Sequence, residues 1–214
     1  EPELLIQAGT STGHVNGTGI GAIPNGWVIA GDTKHSLNFG STQLQATSPY
    51  NGQLDADTYV AAIDEQGTWL WAAMPDATQG LTLLQTMEVT MAGDTYIAGL
   101  IFGTVIFGSS PNSPVLTTQN GAGDGFVAKI DPTGQWVWAA SFNTAGGTGN
   151  FSIISGVAES FSGNVIVSGV HQGSTDFGGI TEVSPDNELF LVELDRNSGA
   201  TNWVVTAGGI GDDE

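Results

Sequence analysis

The chain has no cysteine, which excludes both a disulfide framework and a thiolate zinc site. It has only three basic side chains, Lys34, Lys129 and Arg196, against 22 acidic ones, so the formal net charge is −19. The deficit of base, not an excess of acid, sets that charge. A surface without clustered Lys and Arg repels phosphate backbones and anionic lipid, so nucleic acid is excluded as a partner. No apolar run approaches the ~18 residues of a membrane-crossing helix, so no membrane insertion is expected. An apolar stripe at helical spacing with caps is also missing, and essentially no helix is expected. The composition is nevertheless 40 % hydrophobic, which is enough for a folded core. Acidic, lysine-poor and rich in Gly, Thr and Ser, the chain reads as an extracellular or cell-surface protein.

What the sequence does have is repetition. Tyr59-Val-Ala-Ala-Ile-Asp64-Glu-Gln-Gly67-Thr-Trp69-Leu-Trp71 returns as Phe126-Val-Ala-Lys-Ile-Asp131-Pro-Thr-Gly134-Gln-Trp136-Val-Trp138. A looser copy runs from Phe190 through Asp195 and Gly199 to Trp203. Trp69, Trp136 and Trp203 are spaced by 67 residues at each step. Gly31, Gly99 and Gly169 keep nearly the same interval, as do Phe39, Phe107 and Phe177. A fixed long period marks a repeat architecture, in which each copy buries its faces against its neighbours.

Within a copy, short runs rich in Val, Ile, Thr, Tyr, Phe and Trp are punctuated by Gly, Asn, Asp and Pro, the pattern of strands. In the second copy strand a is expected over 84–92 and strand b over 95–101. Strand c is expected over 126–131 and strand d over 135–141, with an extra short strand pair near Phe107, Pro111 and Pro114. Four antiparallel strands joined by hairpins form a blade, so the expectation is an all-β fold of tandem four-stranded blades, β-propeller-like. Residues 1–14 read as a leading strand d, followed by copies at 15–73, 74–142 and 143–214 in one repeat unit. The tryptophans two apart, Trp69 and Trp71 or Trp136 and Trp138, share a face of their strand and suit packing between blades.

The residues Gly163-Asn-Val-Ile-Val-Ser-Gly169, Thr175-Asp-Phe-Gly-Gly179 and Asp124-Gly-Phe-Val-Ala-Lys-Ile-Asp-Pro-Thr-Gly134 resemble the bacterial β-propeller repeat family abbreviated SBBP. That resemblance covers nearly the whole chain. It implies a propeller or related repetitive β-fold on secreted or surface proteins, and no particular reaction or catalytic residue. The third copy departs from it, with Glu188-Leu189 for the Asp-Gly pair and Val205 where a second tryptophan is expected. The turn Asp131-Pro-Thr-Gly134-Gln-Trp136 is also similar to the tryptophan-docking motif of quinoprotein dehydrogenases. Only Gly199 and Trp203 keep its four-residue spacing; the resemblance implies a way of locking blades and establishes no quinone cofactor.

The strand count is d followed by three rounds of a-b-c-d, one strand too many for three blades. Three blades are also fewer than the roughly four to eight of a closed propeller. Open β-edges favour pairing with another chain, and head-to-tail contact yields a ring or a filament. The expected partners are therefore further copies of the chain or the remaining blades of a longer one, with a glycan as a further candidate.

Five carboxylates ahead of strand c are candidate metal ligands: Asp55, Asp57, Asp124, Asp186 and Glu188. Alternating carboxylates in a loop suit calcium, the one cofactor the sequence suggests. The competing expectation is that they accept backbone N–H bonds in turns. Asp64, Asp131 and Asp195, at the c–d turn, are assigned to turn formation. His14, His35 and His171 have no zinc spacing and read as exposed loop residues. No serine-hydrolase elbow is present, and no carboxylate pair stands out as a glycosidase site. The function expected is a non-catalytic structural or adhesive protein that self-associates through open strand edges. The alternative is a glycan-active enzyme, or a calcium- or glycan-binding module, on a propeller scaffold within a larger surface protein.

Overall fold

A computed structural model describes residues 15–48, 56–118, 123–145 and 149–208. Among these the chain is all-β and antiparallel, with no helix. The expected leading strand, Asp55 and His14 lie outside the described residues.

The first sheet has the order β1 (Val15–Ile23), β2 (Gly26–Thr33), β5 (Asp57–Asp64), β6 (Trp69–Ala73). It is an a-b-c-d meander, and β3 (Leu37–Phe39) and β4 (Thr42–Leu44) form a separate hairpin between its second and third strands. The second repeat supplies β7 (Asp76–Val89), β8 (Thr95–Ile106), β10 (Asp124–Ile130) and β11 (Trp136–Ala145), with β9 (Val115–Thr117) paired to the end of β8. The third supplies β12 (Phe151–Glu159), β13 (Val165–Asp176), β14 (Thr181–Leu194) and β15 (Thr201–Ala207). These two repeats are joined where 143–145 of β11 pair with 174–176 of β13. The expectation of a propeller goes further than this: the sheets do not close, and what the strands show is antiparallel all-β architecture in open sheets.

The repeat holds down to register. A bulge falls between Ala62 and Ile63, between Lys129 and Ile130, and between Glu193 and Leu194, the same place in each c–d hairpin. Each bulge adds twist at the start of strand d. Beyond it Trp71, Trp138 and Trp203 take the same place, opposite Ala62, Lys129 and Glu193, while Thr201 stands where Trp69 and Trp136 do. The c–d turn needs a left-handed residue, which Gly134 supplies at φ +86° without the penalty a Cβ brings. The landmark glycines in strand b have another cause. A Cβ on Gly99 would stand 2.0 Å from the Leu83 carbonyl oxygen, and one on Gly31 1.8 Å from that of Asn16. Strand a bulges against strand b beside both, between Leu84 and Thr86 and between Gly17 and Gly19.

The core lies between sheets. Val28, Ala30, Val60 and Ala62 of the first repeat form one cluster with Ile97, Phe126, Ala128 and Ile130 of the second. Tyr96, Ala98, Val127 and Trp138 of the second form another with Val165, Phe190, Val192 and Leu194 of the third. Each repeat thus offers one face of strands b, c and d to its successor.

Candidate functional site

The four candidate carboxylates among the described residues do not gather. Asp57 is fully buried; its Oδ2 accepts the backbone N–H groups of Thr47 and Ser48, while Oδ1 is buried without a hydrogen-bond partner among the described residues. Burial pushes the Asp57 carboxyl above its ordinary value, against those two donors. Asp124, also buried, accepts the Thr144 N–H through Oδ1 at 3.0 Å. Asp186 accepts the Ser184 hydroxyl through its backbone carbonyl at 2.8 Å. Glu188 lies 3.7 Å from Nε2 of His171. Among the described residues no three acidic or histidine side chains come together in a way that could hold a metal ion.

His171 is not the exposed loop residue the sequence suggested. It is fully buried, edge-on to Phe177 at 5.3 Å, with Nδ1 3.1 Å from the Thr175 hydroxyl. Burial holds its pKa below the ordinary histidine value, with Glu188 and Glu182 pulling the other way. The missed signal is position: His171 falls two residues after Gly169, where the second copy has Ile101 inside its apolar strand.

The c–d turns are capped by their aspartates. Asp64 Oδ1 accepts from Gln66 and Thr68, and Asp195 Oδ1 from Asn197, Ser198 and the Ser198 hydroxyl. The Ser198 hydroxyl, with the two backbone donors, holds the Asp195 carboxyl below its ordinary value. These are Asx-type turn bonds.

The tryptophans divide by function. Trp69 and Trp136 pack edge-on against Phe39 and Phe107, at 4.8 and 5.1 Å between ring centroids. Trp71 and Trp138 reach the next repeat: Trp71 Nε1 donates to the Pro132 carbonyl and Trp138 Nε1 to that of Arg196, both at 3.0 Å. Each indole therefore docks on the c–d turn of its successor and stitches two sheets together.

On the third sheet that docking face is open. By strand register, the residues matching Tyr96, Ala98, Val127 and Trp138 are Ile166, Ser168, Leu191 and Trp203, with Val205 beside them opposite Leu191. Leu191 is 39 % exposed, Val205 58 % and the neighbouring Leu189 61 %. With Gly169 and Phe190 they line an apolar depression of about 310 Å³. The same face is covered in the first and second repeats, and β15 beside it is an edge strand among the described residues.

No protein-family profile and no curated protein matches the chain. Among solved structures, a protein of unknown function from Bacteroides caccae is similar at 13 % identity, over 90 % of this chain and 82 % of that one. The TM-score of 0.28 is too low to carry an argument about fold or function.

Proposed function

We propose that this is a non-catalytic structural and adhesive protein of the cell exterior, built to self-associate, in which the open face of the third sheet receives a sheet from a second copy of the chain. One observation carries the reading: a face that is core in two repeats stands exposed in the third, with Leu189, Leu191 and Val205 on it. The occupant is argued from continuity, since sheets of the same repeat already seat on this face twice within the chain. Exposed apolar area of this kind marks an interaction surface, and the β15 edge adds unpaired backbone groups next to it. On this reading the meanders are blades of an SBBP-type, propeller-like array, and head-to-tail repetition of the contact gives a ring or a filament. The acidic, base-poor composition supports the exterior location.

Sedimentation velocity over a wide concentration range, with electron microscopy of the same samples, tests this. Assemblies larger than the 22.0 kDa chain are expected, and Leu191→Glu should dissolve them by placing a charge on the buried contact. A stable 22.0 kDa species at every concentration overturns the proposal. So does a native polypeptide long enough to supply the covering sheet itself.

A further inference from the structure

A second concavity, of about 600 Å³, opens where the first and second repeats meet. On one side stand the β3–β4 hairpin and the junction from β6 to β7; on the other, the loop after β8 and the β10–β11 turn. That volume lies within the ~300–1,000 Å³ of small-molecule sites.

Its lining has a definite chemistry. Trp136 gives an aromatic wall, fixed by its edge-on contact with Phe107 at 76° between ring planes. Around it stand the amides of Gln43, Gln45 and Gln135, the Ser110 hydroxyl and the Asp76 carboxylate. The Gln135 side chain makes no hydrogen bond among the described residues, and Gln43 commits its Nε2 to Asn38 while its Oε1 has no such partner. Amide and hydroxyl groups offer donor and acceptor side by side, which matches the adjacent hydroxyls of a sugar ring. A partly buried indole offers a flat apolar surface to the ring's C–H face.

Charge narrows the class. No Lys, Arg or His is among the described lining residues, and the one charged group there is Asp76. A phosphate, sulfate or uronate would enter without a counter-ion and against a carboxylate, so the fitting ligand is uncharged. Hydrolysis needs two carboxylates across the bond, and Asp57, whose charge Asp76 perturbs, is fully buried and outside the lining. We propose that this cleft binds a neutral oligosaccharide without cleaving it, with Trp136 as stacking platform and Gln43, Gln135 and Asp76 holding its hydroxyls.

The test is titration calorimetry with neutral oligosaccharides of glucose, mannose, xylose and galactose, with sulfated and uronate-containing ones as charged controls. The native protein and the Leu191→Glu variant are both used, because the cleft does not share residues with the third sheet. Binding of at least one neutral oligosaccharide by both is expected, with no shorter products after incubation. Gln43→Ala with Gln135→Ala, both exposed positions, should weaken binding about tenfold through two lost hydrogen bonds at an unchanged melting temperature. Absence of binding to every neutral oligosaccharide, preference for a charged one, or undiminished binding by the double variant overturns the proposal.

Discussion

Lys129 is a cation inside the seam between the second and third repeats, and removing its charge should be one of the most damaging single changes in the chain. Its side chain is 8 % exposed, and Nζ lies 2.7 Å from Asp94 Oδ2, whose side chain is 13 % exposed. Nζ also donates to the Arg196 carbonyl at 3.2 Å and sits 5.7 Å from the centre of the Tyr96 ring. Lys129→Met keeps most of the stem and leaves Asp94 charged, largely dry and unpaired. Breaking a buried pair from one side costs about 3–5 kcal/mol. The Arg196 carbonyl retains the Trp138 indole as a donor, and Asp94 keeps a little solvent, so about 3 kcal/mol is expected. For a chain of this size that lowers Tm by about 6–12 °C. Asp94→Asn on the Lys129→Met background removes the stranded charge and should recover about 2 kcal/mol, since replacing both members of such a pair is often near neutral. Urea unfolding of the native protein, both single variants and the double variant at pH 7 gives the coupling directly. A loss below about 1 kcal/mol for Lys129→Met, or strict additivity in the double variant, would refute the reasoning.

Three more measurements bear on the seams and on pH. Gly134→Ala and Gly149→Ala both place a Cβ at positive φ, +86° and +107°, but at Gly134 it meets Trp71 Cδ2 at 2.7 Å and at Gly149 it meets nothing within 4 Å. Both should lose about 1 kcal/mol to backbone strain, and only Gly134→Ala should lose more and alter Trp71 fluorescence. Trp138→Phe keeps aromatic bulk and deletes the donor to Arg196, so about 1 kcal/mol is expected in urea unfolding from that bond. Burial sets the His171 pKa below the usual 6.5, so the unfolded chain binds the proton more readily than the native one. Stability from this group is complete above about pH 6.5 and declines as pH falls toward the native pKa; His171→Gln should flatten the urea-midpoint profile between about pH 7.5 and 5.5, and an unchanged slope would count against it.

The strands were legible because their punctuation is local. Pro132 and Gly134 announce the c–d turn, and Gly93 and Asp94 the a–b turn, so the expected strand a of the second repeat ends three residues past Val89. Strand b starts at Thr95 but runs five residues beyond its expected end, and strands c and d fall within two and four residues of their bounds. The N-terminal half of strand a was missed. The chain from Asp76 to Leu83 is strand as well, yet Thr78-Gln-Gly80 carries no strand pattern; long-range pairing with β8 makes it one. The same holds for the end of β11, where 143–145 pair with 174–176 of β13, a register no local signal encodes. The candidate carboxylates were recognisable as a recurrent set, but their separate surroundings depend on contacts such as Thr47 with Asp57 and His171 with Glu188 that join distant segments. The open face of the third repeat is not legible in the sequence. Val205 reads there as the lost second tryptophan, but the register sets Trp203 in the place of Trp138 and Thr201 in that of Trp136. The exposure of Leu189, Leu191 and Val205 requires the sheet itself. Lys129 gave no warning, since Ala62 and Glu193 hold its place in the other copies.

Because each meander uses strands that follow one another in sequence, the molecule has an order in which it can be made. A chain emerging N-terminus first has β1, β2, β5 and β6 in hand by Ala73, before any of the second repeat is synthesised. Val28, Val60 and Trp71 are then already aligned on a finished surface, and the next 67 or so residues collapse against it as they appear. Folding of this kind proceeds domain by domain, in step with synthesis. Its hazard is the interval in which each newly built apolar face waits uncovered, and that interval lasts as long as one repeat takes to emerge.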